Sequence, residues 1–363
     1  MATDRIVLVL ADLAAGGTQR VVTTLANYWA ENGRPISVIT LAEPGTDFFK
    51  LSDKVERVAV GGQLDSDSVV YGVVANLSRI KSLRREMVRI NAKVCIGFIG
   101  QTNILLTLAG LGLSSRIIIS ERNDPRQQSL GRLWDFLRHK VYPLADMVTA
   151  NSREVVTALE EFVPSKKLRY LPNPVNLVHV QPKLSDRLDK IIAVGRLHHQ
   201  KAHSVLITAF ASISEQHPSW QLEILGEGDQ RASLEALISD LGLTGKVSLP
   251  GRVKDVESHL AKASIFVLPS RFEGTPNALL EAISFGLPTV ISDASVGALE
   301  FVKDQESGFV VPVENSEALA EALVELINNK SLRQKFVGSA FQQIKRLGVQ
   351  AVAREWEAAL AIR

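Results

Sequence analysis

Residues 265–292 read IFVLPSRFEGTPNALLEAISFGLPTVIS. The run begins with four apolar residues, Ile265–Leu268, closed off by Pro269, which suits a short buried strand. A glycine-containing loop follows, and Pro276 pre-sets the backbone for the first turn of a helix over 276–285. Gly286-Leu287-Pro288 stops that helix, and Thr289–Ser292 is a second strand-like run. Strand, helix and strand in so short a stretch make one unit of a parallel sheet.

The same alternation extends in both directions. On the N-terminal side of the quoted stretch, strands are expected at 190–194, 221–225 and 247–249, with helices over 203–216, 230–240 and 255–262. Beyond it come helices over 316–328, 331–347 and 350–362. The first half repeats the scheme, with strands at 5–10, 36–41, 94–98, 116–120 and 147–150. Its helices are expected over 18–31, 68–90, 101–111, 130–144 and 152–162. Nearly continuous apolar strands between amphipathic helices indicate sheets covered on both faces. Between the halves, LPNPVNLVHVQPKLSDR (171–187) holds three prolines and no period, and reads as a linker. The expected fold class is therefore α/β, with two Rossmann-like, doubly wound parallel-sheet domains facing across a cleft. Domain one is expected over 1–170 and domain two over 188–349.

Composition agrees with two domains. A chain of 363 residues exceeds the size at which single cores stop growing, and 46% apolar with 22% charged residues is ordinary for globular proteins. The lone Cys95 excludes an internal disulfide and, inside an apolar run, reads as a buried inert thiol. The N-terminus carries no secretory signal pattern, and no apolar run nears the roughly 18–20 residues that span a bilayer. A cytoplasmic protein is expected, with attachment at the inner face of the plasma membrane left open. Residues 1–170 carry a net charge of +5 and the remainder −3, which hints at a polyanionic partner for the first half.

Ligands of such sheets bind beyond the carboxyl ends of the strands, so the loops after strands hold the candidates. After the first strand, Gly16-Gly17 precedes a helix whose N-terminus suits an anion. After the strand ending at Ser120, Glu121, Arg122, Asn123 and Asp124 crowd together as candidate sugar-binding groups. Arg196 and Lys201 bracket the loop after residue 194, and together can hold a diphosphate and neutralise its growing charge. His198, His199 and His203 lack a Cys or carboxylate at ligand spacing, so no metal site is expected there. Gly226-Glu227-Gly228 lacks the third glycine of a dinucleotide fingerprint. In the quoted stretch, Gly274, Thr275, Pro276 and Asn277 form a helix start ready for phosphate. Glu273 stands at its mouth, within reach of sugar hydroxyls, and Glu281 two turns along, within reach of a ribose diol.

The run Glu273-x7-Glu281 resembles the E-x7-E signature of retaining GT-B glycosyltransferases of the GT4 family, the glycosyl transferases group 1. Gly16-Gly17-x-x-Arg20, Asn173-Pro174, Gly195-Arg196 with Lys201, and Gly226-Glu227-Gly228 support the resemblance in the same order, so that it covers the whole chain and implies that the terminal helix, 350–363, packs back on the first domain. It implies that Arg196 and Lys201 grip the donor diphosphate, with Gly226 beside them and Gly17 close by across the cleft. Glu273 would contact the transferred sugar and Glu281 the ribose. The 274–277 loop would cradle phosphate, and 249–253, including Arg252 and Val253, would pass the nucleobase. Glu121, Arg122, Asn123 and Asp124 would face the sugar and acceptor. Where many relatives carry a histidine in that loop, this chain has none, which puts a histidine-based role in doubt. The wording Ser120-Glu121-Arg122-Asn123 looks like the subgroup that handles galactose or N-acetylgalactosamine from UDP.

The resemblance implies transfer with retention by same-face substitution, the leaving phosphate helping to deprotonate the acceptor, with no metal and no cofactor beyond the UDP-sugar co-substrate. Asp65-Ser66-Asp67 spells a metal-binding D-x-D but follows no strand, and reads as helix-capping polarity. The expected acceptor is a glycan or an undecaprenyl-diphosphate-linked glycan. Residues 73–93 join an apolar helical face to six basic residues, which suits either an anionic membrane or a core-packed helix with a solvated basic face. Nucleic acid is not expected, since the basic segments lack interleaved aromatics. The rival readings are a UDP-sugar epimerase on the same fold and an inactive nucleotide-sugar-binding partner subunit. A nicotinamide-dependent oxidoreductase ranks behind both for want of the glycine fingerprint.

Overall fold

The computed structural model describes residues 5–45, 47–61, 69–178, 181–183, 186–294 and 296–361. The chain divides into two compact units, Met1–Pro174 with Val349–Arg363, and Val175–Gly348. The first contains β1 (Ile6–Leu10), α1 (Gly17–Glu31), β2 (Ile36–Thr40), β3 (Val55–Ala59), α2 (Val69–Arg89) and β4 (Val94–Phe98). It continues with α3 (Gly100–Gly110), β5 (Arg116–Glu121), α4 (Arg132–Val141), β6 (Met147–Ala150), α5 (Arg153–Leu159) and β7 (Leu168–Tyr170). The second contains β8 (Lys190–Val194), α6 (His203–Ile213), β9 (Gln221–Leu225), α7 (Arg231–Asp240), β10 (Val247–Gly251) and α8 (Val256–Lys262). After these come β11 (Ile265–Leu268), α9 (Asn277–Ser284), β12 (Thr289–Ser292), α10 (Val296–Leu299), β13 (Phe309–Val311), α11 (Ser316–Asn328) and α12 (Lys330–Ile344). The final helix, α13 (Val349–Ala361), belongs to the first unit.

Both sheets are parallel throughout. Their orders are β3-β2-β1-β4-β5-β6-β7 and β10-β9-β8-β11-β12-β13. Each order reverses once, between β1 and β4 and between β8 and β11, which makes those two places the switch points where ligands bind in this architecture. The strands are apolar on both faces because both faces are covered: Ile6, Val7, Leu8 and Val9 are all fully buried. In the first unit Trp29 of α1 and Trp356 of α13 fill one side, while Leu83, Met87 and Ile104 fill the other. Arg116 ties α13 down by donating to the Leu360 carbonyl at 2.6 Å. In the second unit α6, α7 and α11 cover one face, and α9 with α12 the other.

The structure departs from the sequence reading in its elements and in its linker. Strands β3, β7 and β13 and the short helix α10 were not expected. The stretch 171–187 is not a free linker throughout, because from Val175 onward its described residues are built into the second unit. Val175 is buried and pairs with Gly348, and Ser284 Oγ bonds both Asn176 O and Val178 N. Along α2 the core-packed alternative holds for part of the apolar face, while Val74, Leu77 and Val88 are 60%, 60% and 59% exposed. Leu83 and Met87 are buried, Arg84 donates to the carbonyls of Ala109 and Leu111, and Arg89 pairs with Glu86 and Glu56. Asp65 and Asp67 lie outside the described residues. Among those described, no helix is long and apolar enough to cross a membrane.

Candidate active site

The second switch point lies between β8 and β11, so the loops following these strands emerge side by side. Lys201 from the first loop and Glu273 from the second meet there, Nζ against Oε1. The side chains are 16% and 8% exposed, which removes most competing water from the pair. Ser270 Oγ donates to the same carboxylate oxygen at 2.6 Å and fixes its direction.

Glycines make this meeting possible. The Lys201 stem lies over Gly195, where a Cβ would sit 3.2 Å from three of its methylenes. Gly226 and Gly228 then press against the backbone of the Lys201 loop. A Cβ on Gly226 would stand 1.9 Å from Gly195 O, and one on Gly228 2.2 Å from Leu197 O. Hydrogen bonds hold this contact, from Gly195 N to Leu225 O at 2.9 Å and from Leu197 N to Glu227 O at 3.0 Å. The Gly-Glu-Gly motif is thus a packing device that sets the position of the loop bearing Arg196 and Lys201.

The two loops are bound further by groups that the sequence reading missed. Gln200 Nε2 donates to Phe272 O at 2.9 Å, and Arg271 N donates to Gln200 O at 2.8 Å. The Arg271 guanidinium reaches the His199 carbonyl and pairs with Glu314 at 2.6 Å. Ser292 Oγ holds the Ser270 carbonyl from β12. Gly297 allows α10 to approach Gly274, since a Cβ there would lie 2.3 Å from Gly274 O. Ser270 and Arg271 lay within the quoted stretch, and only their neighbourhood hinted at a role. Gly297 had no sequence signal.

The remaining candidates of this unit stand at the same strand ends. Gly274, Thr275 and Pro276 form the turn into α9, and Pro276 occupies the N-cap position with no side-chain cap. Asn277 opens α9, and Glu281 follows on the same helix, partly exposed. Arg196 is exposed, with Nη2 3.3 Å from Gln200 Oε1. Arg252 and Val253 follow β10, the arginine exposed and the valine half-buried against the core. Among the described residues, no three His, Cys, Asp or Glu side chains gather as metal ligands would.

His203 sits buried at the start of α6. Burial, with the nearby Lys201 charge, depresses its pKa from 6.5 to about 4. The unfolded chain therefore takes up a proton between pH 6.5 and 4 that the folded chain refuses, and stability falls as pH falls through that window. The expected loss is roughly 3 kcal/mol across it. Urea titrations between pH 7 and 4 should show this slope, and His203→Leu should flatten it.

The first unit holds Gly17, which opens α1 after β1 behind an extended, uncapped Gly16. Glu121 ends β5, and the structure turns most of its cluster inward. Glu121, Arg122 and Asp124 are 2%, 5% and 8% exposed, and Asn123 is half-buried. Tyr142 OH donates to Glu121 Oε2 at 2.6 Å, and Glu121 Oε1 accepts from Arg122 N at 2.9 Å. Burial and the Glu121 charge raise the Tyr142 pKa well above its usual value. Arg122 reaches Asn173 Oδ1 and stacks over Phe98, and burial pulls its pKa down to about 10. Asp124 is held by Arg126 at 2.7 Å. At the switch point of this sheet, Ile99 caps α3 with φ +69°, a strained angle for a β-branched residue and one that no sequence pattern signals.

Residues 15–179 match the family described as Glycosyltransferase Family 4, and residues 178–343 the family described as Glycosyl transferases group 1. Over 358 residues the chain is 28% identical to a Campylobacter jejuni subsp. jejuni protein, covering 97% of each. That protein is GalNAc-alpha-(1->4)-GalNAc-alpha-(1->3)-diNAcBac-PP-undecaprenol alpha-1,4-N-acetyl-D-galactosaminyltransferase. A second C. jejuni protein is 30% identical over 270 residues, 71% of this chain and 73% of that one. It is N-acetylgalactosamine-N,N'-diacetylbacillosaminyl-diphospho-undecaprenol 4-alpha-N-acetylgalactosaminyltransferase. Among solved structures, Anabaena HepE in complex with UDP and glucose superposes with a TM-score of 0.83 at 16% identity, over 99% of both chains. Sucrose-phosphate synthase from Thermosynechococcus elongatus gives 0.82 at 19% identity, over 98% of both. At such identities the likeness speaks to the fold alone, two Rossmann-like parallel-sheet domains of GT-B type.

Proposed function

Because the chain belongs to the group 1 glycosyltransferases of family 4, we propose that it moves a hexose or N-acetylhexosamine from a UDP-sugar to a glycan carried on a lipid diphosphate. The observation that carries this reading is the Lys201–Glu273 pair at the β8/β11 switch point, beside the start of α9. An ammonium, the exposed guanidinium of Arg196 and a helix N-terminus together suit a departing diphosphate. Glu273, oriented by Ser270, offers a carboxylate to the hydroxyls of the transferred sugar, and Glu281 offers one to the ribose. Gly274 to Asn277 would cradle phosphate, Arg252 and Val253 would line the base, and Gly17 is a further proposed donor contact.

In this scheme the protein stabilises charge on the leaving group and positions the two substrates. The departing phosphate oxygen takes the acceptor proton on the same face, so the anomeric configuration is retained without a metal. Asn123, half-buried beside three engaged neighbours, is the side chain of its loop proposed to meet sugar or acceptor. Glu121, Arg122 and Asp124 would hold the loop in shape. The preference for UDP is supported by the Ser120–Asn123 wording and by the N-acetylgalactosaminyl transfer named for both C. jejuni relatives. Those names also support the lipid-diphosphate acceptor.

The test is incubation with UDP-N-acetylgalactosamine or UDP-galactose and an undecaprenyl-diphosphate-linked glycan, with NMR of the product. An α-linked product from an α-linked donor is expected, and an inverted product would overturn the mechanism. Glu281→Ala should weaken donor binding about ten-fold while changing kcat little, as loss of a uniform binding contact does. Unchanged donor affinity in a titration would remove Glu281 from the ribose.

A further inference from the structure

Gln200 lies between Arg196 and Lys201 in the chain, on the short 3-10 turn His199–Lys201. Its side-chain amide is engaged at both ends. Oε1 accepts from Arg196 Nη2 at 3.3 Å, and Nε2 donates to Phe272 O at 2.9 Å. A guanidinium only donates and a carbonyl only accepts, so the two partners fix which way the amide faces. The backbone of the same residue is held as well, its carbonyl accepting from Arg271 N at 2.8 Å. One side chain thus joins the guanidinium of Arg196 to the backbone immediately before Glu273.

The frame behind this amide is closed on every side. Gln200 N donates to His198 Nδ1 at 3.2 Å. Arg271 reaches the His199 carbonyl, and its Nε donates to Glu314 Oε1 at 2.7 Å. Buried Ala202 ends the turn in the left-handed region, at φ +48°, and leads the chain into α6. Arg196 is the loosest member of the group. It is exposed, and among the described residues Gln200 Oε1 is the hydrogen-bond partner of its guanidinium. An arginine that is ordered only when it grips an anion loses rotamer freedom at that moment, which weakens binding. Restraint by Gln200 beforehand removes part of that loss. We propose that Gln200 is a positioning residue, which aims Arg196 at the donor diphosphate in register with the Lys201–Glu273 pair without touching the ligand. The inference rests on the donor site proposed above. It requires a neutral amide of this length. Glutamate accepts from Arg196 but sets an oxygen against Phe272 O, methionine does neither, and asparagine is a methylene too short.

UDP affinity, titrated by calorimetry on the full chain, tests this in a double-mutant cycle. Arg196→Ala should weaken UDP binding by about ten-fold or more, as loss of a charged hydrogen-bond donor does. Gln200→Met should weaken it about five-fold, a usual cost of ordering one long side chain. In the Arg196→Ala background the same Gln200→Met change should alter affinity by less than about two-fold, because no guanidinium is left to aim. Melting of Gln200→Met should match wild type, since both of its side-chain bonds lie at the surface. Equal losses in the two backgrounds would overturn the proposal and leave Gln200 as a tie between loops. Wild-type affinity in Gln200→Met would overturn it too. A wild-type protein that bound no UDP would instead overturn the donor site itself, and this role with it, so the wild-type titration alone tells the two failures apart.

Discussion

Lys201→Ala is expected to lower the transfer rate by about 10²–10³-fold, the usual cost of removing one preorganised group that stabilises developing charge. The same change strands the Glu273 carboxylate, which is 8% exposed and is left with the Ser270 hydroxyl. Breaking a buried pair from one side costs about 3–5 kcal/mol, so a lower melting temperature will accompany the lost activity. A double variant separates the two effects. Lys201→Met/Glu273→Gln carries no uncompensated charge, and Ser270 can still bond the amide. Stability should largely return while transfer stays lost. If the double variant recovered both, the pair would be a structural bridge and nothing more.

Arg187→Ala should unfold the second unit far more easily, by on the order of 3–5 kcal/mol, because several buried carbonyls lose a charged donor together. The guanidinium is 9% exposed and donates to Leu260 O at 3.1 Å and Ala263 O at 2.7 Å. Its other nitrogen reaches the carbonyls of Phe285 and Gly286. One side chain thereby caps the C-terminal ends of both α8 and α9, where the helix dipoles favour a cation. Burial pulls its pKa down to about 10, still protonated at neutral pH. Lysine should not substitute, since a single ammonium cannot serve both helix ends. Urea unfolding within about 1 kcal/mol of wild type for either variant would refute the double cap.

Strand-rich signals were legible where burial is two-sided. Ile265–Leu268 and Lys190–Val194 stand out because every residue is apolar or nearly so, and both strands sit beside a switch point. The missed strands are edges. β3 reads VERVA, with Glu56 and Arg57 half-buried and paired to Arg5 and Asp47, so it shows no apolar run. β7 and β13 have three residues each, too few to show a period. At the candidate site, Glu273 and Lys201 were legible from their places after strands, but the pairing between them was not. It depends on β8 and β11 being neighbours, a fact of topology that sequence spacing conceals.

The loop at 121–124 shows the opposite limit. Four polar residues after a strand look like a binding surface, yet two of their partners lie far along the chain. Tyr142 arrives from the end of α4 and Asn173 from the crossover between units. Nothing in the local sequence shows that these groups will absorb the charges of Glu121 and Arg122. The basic segment on α2 left two readings open, and its contacts favour the core-packed one, since Arg84 and Arg89 bind carbonyls and carboxylates of the protein itself.

The central claim, that the second switch point holds a uridine diphosphate-sugar, is tested most directly by thermal stabilisation with UDP, GDP, ADP and NAD, on wild type and on Glu281→Ala. Wild type should be stabilised selectively by UDP, by roughly 2.7 kcal/mol at a hundred times the dissociation constant, and Glu281→Ala should need more UDP for the same shift. A response to GDP or ADP alone would contradict the donor assignment, and no response to any nucleotide would contradict the nucleotide-sugar site itself.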